Sequence, residues 1–234
     1  MKLRDFANFT FPKKLPAAYG GGWMLVTPRA DMRVLKRGWG PSAKDLMLVT
    51  DGVVRPGMVV WDIGANQGIL SALAASKVGP EGAVYALEAD PFYANLVFRS
   101  SMRLSGGYQP INVLCAAISE TSGVLDFGSS NKGHARNQIA SFGEADAFEA
   151  VKFVPALSGD DLLATWRAPD FIKMDVEGAE LSALAGCDKI LSEVRPVFYI
   201  EVADRNSAAA TDLFHRYDYE IFQLTGDGGE KRTE

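Results

Sequence analysis

The sequence predicts an α/β protein. It is a doubly wound, mostly parallel sheet with helices on both faces, a small antiparallel insertion and a short N-terminal extension. Three observations carry this reading. Short apolar runs alternate with helix-patterned segments from residue 58 onward. The run Val59-Val60-Trp61-Asp62-Ile63 leads straight into Gly64-Ala65-Asn66-Gln67-Gly68, a turn of small residues that opens a helix. A second apolar run, Ala83-Val84-Tyr85-Ala86-Leu87, also ends in an acidic residue, Glu88. Alternating strand and helix makes a parallel sheet covered on both sides. In such sheets ligands bind beyond the carboxyl ends of the strands, where the strand order reverses.

Residues 1–55 read as the extension and 56–234 as the domain. Gly20-Gly21-Gly22 and Gly38-Trp39-Gly40-Pro41 punctuate the extension. Between them, 23–27 and 32–35 are expected to be short strands. Ser42 is expected to cap a helix over 43–49.

In the domain, 58–63 is the first strand and 67–78 a helix. The second strand is 83–88. Asp90 then caps a helix that Pro91 begins and that runs to about Leu104. Residues 111–116 form the third strand. The alternation breaks at 118–157, where 123–127 and 151–155 read as antiparallel strands around a polar loop, 128–137. Ser158 opens a short helix, 171–175 is the fourth strand and 180–187 a helix. Strands at 197–202 and 219–224 flank a helix at 207–217. A seventh, antiparallel strand is expected in such a fold, and the polar tail 226–234 leaves it missing or very short.

Hydrophobic residues make up 47% and charged residues 23% of the 234, enough for a packed core. No apolar run approaches the length of a membrane span, and residues 1–19 lack the apolar core of a signal peptide. Cys115 and Cys187 have no metal-ligand spacing and read as buried free thiols in a reducing cytoplasm. Residues 1–44 carry nine Lys or Arg against Asp5 and Asp31, although the whole chain has a net charge of −5. These basic residues are scattered, unlike a nucleic-acid stripe, and are expected to lie against the acidic body.

The chemistry begins at the glycines. Gly64 permits a tight turn, and Ala65 and Gly68 permit close approach of backbone to ligand and of helix to sheet. A Gly-rich turn alone also suits dinucleotide dehydrogenases. Here Asp62 precedes the turn and the third-position glycine of their fingerprint is absent. A carboxylate there repels a pyrophosphate and suits a cationic sulfonium or amino group, which favours S-adenosylmethionine (SAM) over NAD. Glu88, 26 residues later, suits a ribose diol. Asp62, Glu88, Asp175 and Glu201 each end a strand, so the topology is expected to gather them in one crevice.

Four motifs together carry a family resemblance. They are Asp62-Ile63-Gly64-Ala65-Asn66-Gln67-Gly68, Tyr85-Ala86-Leu87-Glu88, Ala116-Ala117-Ile118-Ser119 and Ile172-Lys173-Met174-Asp175-Val176-Glu177-Gly178-Ala179-Glu180. In them the chain resembles the FkbM family of SAM-dependent methyltransferases over residues 55–224. The resemblance implies a class I, Rossmann-like domain and O-methylation, often of sugars or natural products. It implies Asp62, Gly64, Asn66 and Gly68 for the amino-acid end of SAM and Glu88 for its ribose. Residues 116–118 would lie by the adenine. Ala65, Ala89, Ala117 and Asp175 complete the expected cofactor contacts. The chain departs from the usual family pattern at Ala89, at Ile69 and in 97–101, which bears on the substrate more than on the cofactor.

Methyl transfer to a hydroxyl needs an oriented acceptor and a proton acceptor. Asp175 is the first candidate and His134, in the polar loop, the second. Glu177 and Glu180 read as carboxylates favouring a helix N-terminus, and His215 as charge at a helix C-terminus. Lys173 is expected to pair with one of the carboxylates. No metal is expected, because only Asp175 and Glu201 are visible as ligands. The expected acceptor is a small molecule or glycan, in the cytoplasm, without nucleic acid; a homodimer is possible. The rival readings are a nucleic-acid methyltransferase, a non-catalytic SAM or nucleoside binder and, third, a dehydrogenase. Trp23, Trp39 and Phe142 are candidates for an acceptor pocket, a dimer contact or core.

Overall fold

The N-terminal segment folds onto the domain as a cover. The computed structural model describes residues 9–36, 38–129, 138–139, 150–224 and 230–232. Strands β1 (Phe11–Lys14) and β2 (Trp23–Val26) pair antiparallel. The expected strand at 32–35 is instead a 3-10 turn, Met32–Leu35, because the Asp31 side chain accepts from the Arg33 N–H and starts a tight turn. Helix α1 spans Pro41–Val53 with Gly40, not Ser42, at its N-cap. Pro41 takes the first helical position, where its missing N–H costs nothing, and so moves the start two residues earlier.

Strand β3 (Val59–Ile63), helix α2 (Ile69–Ala75), β4 (Ala83–Leu87), helix α3 (Pro91–Ser101) and β5 (Ile111–Leu114) follow in alternation. Helix α3 ends three residues before the expected Leu104, and the Asp90 side chain caps it by accepting from the Phe92 N–H. Next come β6 (Ala117–Ile118), β7 (Gly123–Ser129), β8 (Gln138–Ile139), β9 (Ala150–Leu157) and helix α4 (Gly159–Leu163). Strands β7 and β9 pair antiparallel, as the broken alternation predicts. Ser158 caps α4 by accepting from the Asp161 N–H. The chain continues with β10 (Phe171–Asp175), helix α5 (Glu180–Ala185), β11 (Val197–Glu201), helix α6 (Ser207–Arg216), β12 (Phe222–Leu224) and β13 (Glu230–Arg232).

The central sheet runs β11-β10-β3-β4-β5, all parallel. The order reverses between β3 and β10, so a crevice opens above their carboxyl ends. The segment 219–224 does not extend this sheet. Only Phe222–Leu224 is strand, and it pairs antiparallel with the short β13.

Alternation along each strand divides the core in two. Val59, Trp61, Ile63, Ile172 and Met174 face one layer with Leu184 and Phe214. Val60 and Phe171 face the other, with Leu70, Ala74 and Val97. Helix α2 is apolar on nearly every face, and its far side, Ala72 and Leu73, is covered by Leu15, Tyr19, Met24 and Val26 of the N-terminal segment. A helix apolar all round must be buried all round.

Cys187 is buried, but Cys115 is exposed, against the expectation for both. Cys115 lies just past the end of β5, where the chain leaves the layered core. Among the described residues no helix is long and apolar enough to cross a membrane.

Candidate active site

A pocket opens at the strand-order reversal. Ile63, Gly64 and Asn66 at the end of β3, Leu87 to Ala89 at the end of β4, and Asp175 to Glu177 at the end of β10 line it. Tyr93, Ala116, Ala117, Ile118, Phe127 and Ala179 complete the wall. Its empty volume, open mouth included, is about 630 Å3, within the range of small-molecule sites.

The turn after β3 is held from two sides. The Gly64 and Ala65 N–H groups donate to the Leu87 carbonyl at 2.9 and 3.0 Å. Gly64 has φ 70°, and a Cβ there would sit 1.8 Å from the Asp175 carbonyl oxygen. Only glycine fits so close an approach of backbones. Asn66 follows with φ 51°, a left-handed conformation that asparagine tolerates better than most residues. Its N–H donates to Glu88 Oε2 at 2.6 Å.

Glu88 is 7% exposed. Its Oε1 accepts from the Asp90 N–H at 2.8 Å. Burial pushes its carboxyl up to about 7, although the two N–H donors pull the other way. Each carboxylate oxygen has a lone pair beyond the one these donors use, which suits a diol.

Beside the turn lies a buried ionic cluster. Lys173 Nζ donates to the Gly64 carbonyl at 2.7 Å and stands 3.6 Å from Asp62 and 3.5 Å from Asp175. It thus pairs with two carboxylates rather than one. Burial alone lowers the Lys173 pKa, but Asp175 and Asp62 outweigh it and raise it. Asp62 Oδ2 accepts from both the N–H and the Oγ of Ser71, at 3.0 and 2.5 Å.

Past β10, Glu177 takes a left-handed φ of 49°. A non-glycine residue there stores strain that its surroundings must hold. The holding groups are buried: Glu180 accepts from the Gly178 N–H at 2.6 Å and from Asn206 Nδ2 at 2.6 Å, and Asn206 also donates to the Gly178 carbonyl. Burial, then the Asp175 charge, pushes the Glu177 carboxyl up to about 7.

The structure brings Gly64, Asn66, Glu88, Ala89, Ala117 and Asp175 to the pocket wall. Asp62, Ala65 and Gly68 are not on that wall. Asp62 is 1% exposed and faces α2, as does Val60 on the same side of the strand. Gly68 starts α2 with φ 78° and packs against Val97. Of the four strand-end acids, only Glu88 and Asp175 therefore share the crevice. Glu201 is exposed at the sheet edge and takes a long hydrogen bond from Tyr199. His134 and Phe142 lie outside the described residues. His215 is exposed in the last turn of α6, Trp23 is exposed and Trp39 half-buried.

Nothing in the sequence marks Tyr93 or Phe127 for the wall, and Glu177 reads there as a helix-end carboxylate. The Glu-Gly pair after β10 is the one signal that pointed to a special turn there.

The residues fit an adenosyl group. Glu88 offers a carboxylate to a diol, Ala89, Ala116, Ala117 and Ile118 offer an apolar slot, and the Oδ1 of Asn66 is buried without a hydrogen-bond partner among the described residues. Asp175 adds negative charge near the turn, which suits a sulfonium or ammonium centre.

The chain is similar to several solved structures. A Methyltransferase FkbM from Methylobacillus flagellatus KT is 19% identical, with a TM-score of 0.50, over 88% of this chain and 57% of its own. This chain thus spans little more than half the length of that protein. A precorrin-6y C5,15-methyltransferase from Geobacter metallireducens GS-15 is 14% identical, with a TM-score of 0.46, over 78% of this chain and 72% of its own. A SAM-dependent methyltransferase from Aquifex aeolicus is 17% identical, with a TM-score of 0.40, over 80% and 91%. No curated protein matches the chain. Residues 62–224 match the Methyltransferase FkbM domain, from the Asp62 turn to the end of β12. The chain belongs to the FkbM family of methyltransferases, and its cofactor is S-adenosylmethionine.

Proposed function

We propose that the chain is an O-methyltransferase acting on a hydroxyl of a sugar, a glycan precursor or a small natural product. One observation supports this acceptor class most. Asp175 and Glu177 both line the pocket past β10, so its wall there is acidic. A phosphate backbone is repelled by such a wall. A neutral hydroxyl finds there a hydrogen-bond acceptor and a place for its proton.

When bound, SAM would supply an electrophilic methyl group to the acceptor oxygen. The chain's residues do the rest. Glu88 and Asn66 hold the adenosyl and amino-acid parts. Gly64 lets the β3 turn lie against the Asp175 carbonyl and so brings the turn and Asp175 to one wall. Asp175 takes the acceptor's hydrogen bond, aims its oxygen, and receives its proton. Lys173, at 3.5 Å, keeps Asp175 in place.

A second reading gives the proton to Glu177. Its carboxyl, pushed up to about 7, is matched to a base working near neutral pH. Its left-handed backbone fits a residue held for chemistry. The free thiols of Cys115 and Cys187 suit the reducing cytoplasm as the setting.

The experiment is transfer of labelled methyl from SAM to fractionated neutral glycans and small hydroxylated metabolites, with RNA in parallel. Label in a base-stable ether of a neutral fraction supports the reading. Label in RNA alone overturns it.

A further inference from the structure

Tyr93 sits in the first turn of α3 and is 2% exposed. Its ring packs among Leu25, Ala30 and Leu96, with the Arg29 guanidinium 5.4 Å from its centroid. It is also part of the pocket wall, with Glu88 and Ala89. Yet its Oη, buried from solvent, has no hydrogen-bond partner among the described residues. A buried hydroxyl without a partner is costly, and a phenyl ring would fill the same space without that cost.

The neighbouring wall sharpens the point. Ala89, Ala116, Ala117 and Ile118 offer no side-chain hydrogen bond to a polar ligand edge. Glu88 is an acceptor when charged and already holds two backbone N–H groups. A ligand with both hydroxyls and ring nitrogens needs a group on this side that can donate as well as accept, and a phenol does both.

We propose that Tyr93 is a specificity-determining contact of the cofactor pocket, its hydroxyl hydrogen-bonding the adenosine moiety. This rests on the assignment of the pocket to SAM. Arg29 acts behind it as a positioning residue: it pairs with Asp90 at 3.3 Å and stacks over both Phe92 and Tyr93. The N-terminal segment thereby sets the aim of a ligand contact on α3.

The test is calorimetric titration of wild type and Tyr93→Phe with S-adenosylhomocysteine and with 5′-methylthioadenosine, which lacks the amino-acid end. A thermal melt of each ligand-free protein accompanies it. The expected result is about tenfold weaker binding of both ligands to the variant, the loss of one hydrogen bond. The variant's ligand-free melting temperature should be equal or higher. Unchanged affinity for both ligands overturns the proposal. So does weakening of S-adenosylhomocysteine alone, which would move the contact to the amino-acid end. A lower melting temperature also overturns it, because the hydroxyl would then have a partner within the protein. Failure of the folded wild type to bind either ligand would instead sink the pocket assignment, a result distinct from the variant's behaviour.

Discussion

Lys173 Nζ donates to the carbonyl of Gly64 at 2.7 Å, joining strand β10 to the turn after β3. In the parallel register Lys173 lies beside Asp62, so the bond reaches along the sheet to the next turn. The same ammonium faces Asp62 and Asp175. One buried cation thus joins the turn that receives the cofactor to the carboxylate assigned to the acceptor.

Removing that cation leaves two carboxylates without their buried counter-charge. We expect Lys173→Met, similar in length, to lose about 3–5 kcal/mol of unfolding free energy in urea. Adding Asp62→Asn should recover part of the loss, because it removes one of the stranded charges. A single variant within about 1 kcal/mol of wild type would show that the cluster contributes little.

Much of this arrangement is legible in the sequence. Apolar runs ending in Asp62, Glu88 and Asp175 mark the strands and their carboxyl ends, and the topology follows from their alternation with helices. The all-round apolar stretch 69–75 likewise signals that something covers its far side. The inward face of Asp62 is not legible: Val59, Val60, Trp61 and Ile63 are apolar on both sides of the strand, so period-two alternation alone does not say which layer Asp62 faces. Other features depend on distant packing. Whether Phe92 or Tyr93 reaches the pocket is decided by segment 25–30, more than sixty residues away in sequence. The turn that follows Glu177 is held by Asn206, which donates to the Gly178 carbonyl and to Glu180 and carries no local signal. At 32–35, four residues of mixed polarity do not distinguish a strand from a 3-10 turn, and the Asp31 cap decides.

Asp62 lies off the pocket wall, and its Oδ2 is taken by Ser71. Asp62→Ala therefore acts first on folding. We expect a loss of about 2–4 kcal/mol, from two hydrogen bonds and a buried ion pair. The folded fraction should bind S-adenosylhomocysteine within about threefold of wild type. Lost binding with unchanged stability would instead put Asp62 in direct contact with the cofactor.

Glu88 links cofactor binding to pH. Burial raises its folded pKa from 4.5 to about 7, so the folded protein holds this proton more tightly than the unfolded chain. Its contribution to stability is full below about 4.5 and is lost as pH rises through about 7. Ribose hydroxyls donating to the carboxylate favour the charged form, so affinity runs the opposite way. We expect S-adenosylhomocysteine to bind up to about tenfold more tightly at pH 8 than at pH 6. In Glu88→Gln the pH dependence should shrink, with binding at pH 8 about tenfold weaker than wild type. Glu177, also pushed up to about 7, titrates in the same window, so Glu177→Gln is the control. A wild-type affinity flat from pH 6 to 8 would remove Glu88 from ribose binding.

The identity of the proton acceptor separates Asp175 from Glu177. Asp175→Asn keeps the shape of the side chain and its place on the wall, but removes the proton-accepting charge. With an acceptor from the labelling experiment, its kcat should fall by about 100-fold or more at every pH, with SAM affinity close to wild type. Glu177→Gln should keep most of the turnover, because Glu177 then serves only as a neighbouring charge. The reverse pattern has its own signature. If Glu177 takes the proton, the wild-type rate climbs with pH through about 7, the value at which its carboxyl ionises. That limb vanishes in Glu177→Gln along with most of the rate. Both variants are measured across pH 5.5 to 9, so a uniform drop and a lost limb are told apart directly. A uniform drop confined to Asp175→Asn assigns the proton to Asp175, and a lost limb in Glu177→Gln moves it to Glu177.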